Sequence, residues 1–159
     1  MTQKLAAFAC LLTAEKGADA VDAFYNEWQN DRSVIDKWFA IQVSAAPPDK
    51  AADIAQALTL HTDFDMKNPN RFRATFGALA GKTAGFHHAS GKGYTLLADW
   101  LIKLDPLNPQ TTARMCSAFE TWRRYDSHRK ELIETELRRI FATKGLSRDT
   151  TEMVARILG

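Results

Sequence analysis

The sequence has little net charge, few cysteines and no long hydrophobic run, and each shortage excludes a class of protein. Its 21 lysines and arginines nearly balance its 19 acidic residues, which leaves a formal charge of +2, whereas a dedicated nucleic-acid binder carries a clear basic excess. The two cysteines, Cys10 and Cys116, lie far apart among apolar residues, which argues against a disulfide scaffold and favours a reducing compartment. No window approaches the roughly 18 uninterrupted apolar residues of a membrane span. We therefore expect a soluble cytoplasmic protein with no membrane and no nucleic-acid partner.

The motifs of common catalytic centres are also missing from the sequence. Zinc hydrolysis on a helix requires two histidines one turn apart with a glutamate between them, as in His-Glu-x-x-His. None of the four histidines, which are His61, His87, His88 and His128, has that spacing. A glycine-rich phosphate loop, a Gly-x-Ser-x-Gly elbow and a Cys-x-x-Cys pair are absent as well. We therefore predict that this chain supplies no catalytic residue, no metal ligand and no cofactor-binding residue.

Helical periodicity extends along almost the whole chain. Apolar residues recur at helical spacing from the first segment, around Phe8, to the last, around Val154, and no alternating strand pattern competes with them. A length of 159 residues fits one domain, which we expect to span residues 1–159. Helices of this length joined by short loops pack as antiparallel pairs, so the pattern predicts a short α-solenoid with a concave side.

Several polar residues have the positions of helix N-caps. An asparagine before a proline is the clearest signal, because proline fits the first helical position and the asparagine side chain accepts from a free amide. The predicted caps are Ser33, Asn68, Asn108, Asp126 and Ser147. The helix from Asn68 is expected to end at Gly81, and the helix from Asn108 to continue through Trp122 with Met115 and Phe119 on the same face.

Two arginines follow the proline-started helices. Arg73 lies five residues after Asn68, and Arg114 lies six residues after Asn108. If successive helices alternate in direction, both guanidinium groups lie at the same end of the solenoid, where free helix amides also attract anions. A peptide carboxylate or peptide carbonyls are reasonable ligands. The alternative is that these arginines pair with local carboxylates such as Asp63 or Asp65.

Short motifs occur in a fixed order along the chain. They are Val34-Ile35-Asp36-Lys37-Trp38-Phe39-Ala40, Asn68-Pro69-Asn70-Arg71-Phe72-Arg73, Phe86-His87, Gly93-Tyr94, Asn108-Pro109-Gln110 with Arg114, and Arg124-Tyr125-Asp126. As an ordered set from about Leu5 to Leu158, they resemble the C-terminal helical domain of bacterial-type aminopeptidase N, the alanyl aminopeptidases of the M1 zinc metallopeptidase family.

The resemblance implies an all-α domain, a short right-handed superhelix (an α-solenoid of ARM or HEAT type) of antiparallel helix pairs. In that family the superhelix walls a chamber over an active site in another domain, which carries zinc and a catalytic glutamate and removes single N-terminal residues from peptides. The partners of this chain would be the remaining domains of the parent enzyme, with zinc held there. Arg73 and Arg114 fall where the family turns basic side chains toward the chamber, beyond the scissile bond, and would bind substrate.

Two other interpretations remain open at this point. A free-standing α-solenoid would bind a peptide or protein in its concave groove, with the same two arginines. The basic aromatic segment from Trp122 to Lys130 could instead contact nucleic-acid phosphates. Acidic residues interleaved with that segment, such as Asp126, favour an ordinary solvated helix end over the nucleic-acid interpretation.

Overall fold

The computed structural model describes residues 1–14 and 16–159. Across these residues the chain is helical and contains no strand, which confirms the predicted all-α class. None of the described helices is long and apolar enough to cross a membrane. The helices are α1 (Thr2–Thr13), α2 (Ala18–Trp28), α3 (Arg32–Ala45), α4 (Ala51–Leu58), α5 (Pro69–Phe72), α6 (Ala78–Gly81), α7 (Thr83–Phe86), α8 (Lys92–Leu104), α9 (Pro109–Cys116), α10 (Ser127–Phe141) and α11 (Arg148–Leu158).

Three short segments of other helical types complete the architecture. A π-helical turn, Arg73–Gly77, joins α5 directly to α6, so that one uninterrupted helix extends over residues 69–81 as predicted from Asn68 and Gly81. Two 3₁₀ turns, Ser117–Phe119 and Trp122–Arg124, follow α9. The contacts divide the chain into two compact units, Met1–Gly85 and Phe86–Gly159, which we call the first and the second unit.

Helix α3 is the centre of the first unit. It contacts α1, α2, α4 and the helix of residues 69–81, and it buries Ile35, Trp38, Phe39 and Val43 at helical spacing. The surrounding helices contribute further buried residues to the same core, which are Phe8, Phe24, Ala55, Phe72, Phe76 and Leu79. Because α3 is covered on several sides, substitutions of its buried residues should lower the free energy of unfolding of the whole first unit.

The second unit is built on α8, α9, α10 and α11. Helix α8 packs against α9 and α10, and α11 packs against α9 and α10. Gly93 in the first turn of α8 allows a close approach, because a Cβ atom there would lie 2.7 Å from the Phe86 carbonyl oxygen. The core of this unit includes Phe86, Tyr94, Leu97, Leu101, Leu104, Phe119, Ile133, Leu137, Ile140, Val154 and Ile157.

Four of the five predicted caps are confirmed, and one is wrong. Asn68, Asn108, Asp126 and Ser147 each accept a hydrogen bond from an amide in the first turn of the following helix. The cap of α3 is Asp31 and not Ser33, because the Asp31 carboxylate accepts from the amides of Ser33 and Val34. Hydrogen bonds from the Ser33 hydroxyl and the Val34 amide also lower the pKa of Asp31.

The long helix predicted from Asn108 through Trp122 is wrong in its extent. Helix α9 ends at Cys116, and the chain continues in the two 3₁₀ turns. Met115, Phe119 and Trp122 are nevertheless all buried, which confirms the predicted apolar face. The Trp122 indole donates to the Ile157 carbonyl of α11 at 3.0 Å, a tertiary contact that helical periodicity does not reveal.

Candidate functional site

Arg73 lies in the first unit, at the start of the π-helical turn Arg73–Gly77. Its side chain is exposed, and its guanidinium donates to the Pro69 carbonyl at 3.2 Å and to the Asn70 side-chain oxygen at 2.8 Å. Both acceptors are neutral, so the positive charge is not compensated by them. π-helical turns are rare and occur frequently at functional sites. This geometry holds a cation in place without neutralising it.

The alternative of pairing with a local carboxylate is not found at Arg73. Within residues 1–14 and 16–159, no ion pair joins Arg73 to Asp63 or Asp65. Asp63 accepts from the Tyr25 hydroxyl at 2.9 Å, and Asp65 accepts from the Lys67 amide at 2.9 Å.

Arg114 lies in the second unit, in the last turn of α9. Its side chain is exposed, whereas its neighbours Ala113 and Met115 are buried. No hydrogen bond or ion pair of the Arg114 side chain occurs within the described part of the chain. A cation also interacts favourably with the carbonyl end of its own helix. The proposed meeting of Arg73 and Arg114 at one end of the solenoid stays a prediction.

Sequence reasoning missed Arg71, which is the buried arginine of the same motif. Its side chain is only 6% exposed, and its Nε donates to the Asp36 carboxylate at 2.7 Å. Its Nη1 donates to the Asp63 carbonyl, and its guanidinium carbon lies 4.6 Å from the centre of the Phe39 ring. Arg71 therefore joins the motif around Asp36 to the motif that begins at Asn68.

The motif residues of the second unit converge around His87. The imidazole stacks on Tyr125 with ring centres 3.9 Å apart, and its Nδ1 lies 2.9 Å from the Tyr94 hydroxyl. Arg129 donates to the His87 carbonyl at 2.6 Å and to the Asp126 carboxylate at 2.6 Å. The Phe86-His87, Gly93-Tyr94 and Tyr125-Asp126 motifs thus form one structural cluster.

Two ionisable rings of this cluster, His87 and Tyr94, have shifted pKa values. Burial, and then the positive charge of Arg129, lower the pKa of His87 from 6.5. Burial raises the pKa of Tyr94 above its usual 10.0. At neutral pH the cluster therefore holds a neutral imidazole against a neutral phenol.

The lowered pKa of His87 predicts a pH dependence of stability. Because the folded state binds a proton on His87 less readily than the unfolded state, this contribution is complete above about pH 6.5 and decreases as the pH falls toward the folded pKa. In His87→Phe the ring still stacks on Tyr125 but cannot titrate. We expect the free energy of unfolding of the wild type to fall more steeply below pH 6.5 than that of His87→Phe, measured by urea unfolding at several pH values.

The matched control for this prediction is His88→Phe. His88 contacts the Ser90 hydroxyl, and no ring contact of His88 occurs among the described residues, so this variant should keep the wild-type pH dependence. If the free energy of unfolding of His87→Phe falls below pH 6.5 as steeply as that of the wild type, His87 is not the group that causes this pH dependence.

The described residues do not bring metal ligands together. No group of three or more histidine, cysteine, aspartate or glutamate side chains that could hold a metal ion occurs among them. The histidines are instead used in separate hydrogen bonds: His61 accepts from the Asp63 amide, and His128 contacts the Ala89 carbonyl at 2.9 Å. These residues do not fit the zinc site of a metallopeptidase.

The basic segment after Trp122 is largely committed to contacts within the protein. Arg123 donates to the carbonyls of Ile157 and Leu158 at the end of α11. Arg129 is held by Asp126. These contacts agree with a structural helix end more than with a phosphate-binding surface.

Comparison with known proteins identifies a family and close relatives. A family model described as "Domain of unknown function (DUF3458_C) ARM repeats" matches residues 1–159. The chain is 40% identical over 141 residues to Aminopeptidase N of Caulobacter vibrioides. The match covers 88% of this chain and 16% of that protein. The chain is 38% identical over 136 residues to Aminopeptidase N of Haemophilus influenzae, covering 85% of this chain and 16% of that protein.

A solved structure shows the same fold. The crystal structure of Legionella pneumophila aminopeptidase A in complex with aspartic acid matches 99% of this chain with a TM-score of 0.91 and 32% identity. The match covers 19% of that chain. This sequence therefore spans less than one fifth of the length of these relatives.

Proposed function

The chain belongs to the DUF3458_C family of ARM-repeat domains, and on that premise we propose that it is the C-terminal domain of a zinc-dependent, cytoplasmic aminopeptidase N. In this proposal it forms part of the wall of the active-site chamber and guides peptides, while the parent enzyme removes their N-terminal residues. The identities of 40% and 38% to two proteins named Aminopeptidase N support the parentage. The chain matches only 16% of the length of those proteins, which supports the presence of further domains as its partners.

The observation that supports the guiding role is the exposed charge of Arg73, which no carboxylate neutralises among the described residues. Its guanidinium is fixed by two neutral acceptors, so hydrogen-bond donors remain for a ligand. Guanidinium groups bind carboxylates in a bidentate manner and also donate to peptide carbonyls. Arg114 supplies a second exposed cation in the other unit. These residues would orient the part of a peptide beyond the scissile bond and would take no part in bond cleavage.

Zinc enters this proposal only through the parent enzyme. A metallopeptidase zinc ion activates the attacking water and polarises the scissile carbonyl. Since the described residues offer no set of ligands for it, the ion would be held by other domains. The residues of this chain would act on the peptide before and after that step, by binding and orienting it.

A domain graft tests the proposed function. The matching segment of Caulobacter vibrioides Aminopeptidase N is replaced by this chain, and the graft is compared with an enzyme that lacks the segment. We expect the graft to hydrolyse an alanyl arylamide and a tetrapeptide, and the truncated enzyme to lose most of this activity. In the graft, Arg73→Ala with Arg114→Ala should raise KM for the tetrapeptide about fivefold to tenfold and change KM for the arylamide little.

The matched control carries Arg32→Ala with Arg148→Ala, which removes one exposed arginine from each unit. It should leave both KM values near those of the unchanged graft. An inactive, folded graft would count against the parentage. Equal KM changes for both substrates would show that Arg73 and Arg114 do not contact the extended part of the peptide.

A further inference from the structure

An aromatic pocket opens in the first unit between α2, α3 and α4. Its volume is about 480 Å³, which is within the range of small-molecule sites. Trp38 of α3 is almost completely buried and borders it together with Tyr25 and His61. Five apolar side chains also line it, namely Val21, Ile54, Ala57, Leu58 and Leu60. Leu60 is 83% exposed, so an apolar rim borders the opening.

The three rings at this pocket are fixed by contacts with one another. The ring centres of Tyr25 and Trp38 are 5.2 Å apart, those of Tyr25 and His61 4.8 Å, and those of Trp38 and His61 5.1 Å. The Trp38 indole donates to the Val21 carbonyl at 3.0 Å. Asp63 accepts from the Tyr25 hydroxyl, and its amide donates to His61 Nδ1 at 3.1 Å. The pocket is therefore preorganised, which reduces the entropic cost of binding.

Two of the polar side chains that line the pocket, Asp22 and Gln42, offer hydrogen-bond acceptors. Asp22 is an exposed lining residue, and its carboxylate makes no hydrogen bond or ion pair within the described part of the chain. Gln42 uses its amide nitrogen to donate to the Trp38 carbonyl at 3.1 Å, which leaves its side-chain oxygen as an acceptor. No lysine or arginine is among the lining residues. An uncompensated carboxylate beside aromatic rings favours a cation.

We propose that this pocket binds a small ammonium ion carried on an aromatic or branched aliphatic group. The apolar part of the ligand would lie against Trp38 and Ile54, and the ammonium group would be directed to Asp22 and the Gln42 oxygen. The site goes beyond the proposed guiding of peptides, since it involves neither Arg73 nor Arg114 and needs no other domain. Its presence is therefore independent of the outcome of the graft experiment.

Binding is tested on this chain with three probes of similar size and one phenyl ring. These are 2-phenylethylammonium, the neutral 2-phenylethanol and the anionic 3-phenylpropanoate. Each is titrated while the indole N–H signals of Trp38, Trp100 and Trp122 are followed by NMR. We expect the ammonium probe to shift the Trp38 signal with a dissociation constant of about 1 mM and to leave the signals of Trp100 and Trp122, in the second unit, in place.

Two variants separate the contributions of shape and charge. Ala57→Leu fills the pocket from an exposed helix position and should weaken binding of the ammonium probe at least tenfold. Asp22→Asn should weaken it about threefold, because an exposed carboxylate attracts a cation only moderately, and should leave binding of the alcohol unchanged. Asp19→Asn, one turn earlier on α2, is the charge-matched control and should bind like the wild type.

Each remaining outcome contradicts the proposal. Equal affinity for the three probes, or for the ammonium probe in wild type and Asp22→Asn, would show that the pocket does not select a cation. No shift of the Trp38 signal up to about 20 mM probe, or unchanged binding in Ala57→Leu, would show that the pocket is not a ligand site.

Discussion

Replacing Arg71 with methionine should lower the free energy of unfolding of the first unit by about 3 kcal/mol. The substitution leaves the Asp36 carboxylate and the Asp63 carbonyl without the donors that contact them at present. It also removes the cation from the face of Phe39. Because Asp36 keeps 24% of its side-chain surface exposed, water compensates part of the loss, which places the effect at the lower end of the range for broken buried pairs.

The neighbouring arginine provides a matched control. Arg73→Met makes the same chemical change two residues later on an exposed side chain, and it should change the free energy of unfolding by about 0.5 kcal/mol or less. Because the chain consists of two compact units, the effect is best measured by hydrogen exchange of α3 amides. Similar effects of Arg71→Met and Arg73→Met would contradict the structural role assigned to Arg71.

A double-mutant cycle isolates the ion pair from the other contacts of Arg71. Asp36→Asn keeps the size of the side chain but removes its charge. The combined variant with Arg71→Met should be less destabilised than the sum of the two single variants by about 1–2 kcal/mol. The remaining loss then belongs to the Asp63 carbonyl and the Phe39 ring.

Arg71 and Arg73 differ in how far the local sequence specifies their contacts. Both arginines lie in one motif, and the sequence identified Arg73 because it follows a helix start. The helical phase places Arg71 on the same side as Thr75, one turn later, which is fully buried. That phase was available in the sequence. The partner Asp36 lies 35 residues away, and nothing local specifies that contact.

Local signals identified helix starts better than helix ends. Asn68 and Asn108 were found because a cap and a following proline form a pattern within two residues. Asp31 was missed as the cap of α3, although its carboxylate lies only two residues before Ser33 and reaches the same first turn. The end of α9 was not predictable in this way, because the segment after Cys116 is positioned by the contact of Trp122 with α11.

Of the candidate binding residues, the sequence indicates the two arginines but not the pocket. Exposure of Arg73 and Arg114 agrees with a binding role, and the sequence suggested both from their distance to helix starts. The pocket bordered by Trp38 depends on residues from α2, α3, α4 and the segment after α4. In the sequence Trp38 appears only within the motif Val34 to Ala40, and nothing local relates it to Tyr25 or His61. A site assembled from three helices therefore required the tertiary structure.

Replacing Asp105 with alanine should destabilise the second unit by about 3–5 kcal/mol. Asp105 is 1% exposed, and its carboxylate accepts from the Ser147 amide at 2.6 Å, the Ser147 hydroxyl at 2.6 Å and the Thr150 hydroxyl at 2.5 Å. It thereby holds the first turn of α11 from the end of α8. Without it, the fully buried Thr150 hydroxyl loses this acceptor, and such an unpaired group costs about 1–3 kcal/mol by itself.

Cys116 allows this loss to be measured in the second unit alone. Burial, and then the charge of Asp105, raise the pKa of its thiol to about 12, so the residue should react with a thiol reagent only after the unit opens. Exposed Cys10 in the first unit serves as the internal reference. We expect Asp105→Ala to increase the labelling rate of Cys116 by at least a hundredfold relative to Cys10, since about 1.4 kcal/mol corresponds to a factor of ten.

Two further variants decide whether the hydrogen bonds cause the effect. Asp149→Ala removes an exposed carboxylate from the first turn of α11 and should increase the labelling rate less than about threefold. Thr150→Val removes one of the donors to Asp105. The double variant Asp105→Ala with Thr150→Val should therefore be destabilised by less than the sum of the two single effects. If the two effects are fully additive, the Thr150 hydroxyl does not depend on Asp105, and the anchoring of α11 would have to be assigned to its apolar contacts with α9.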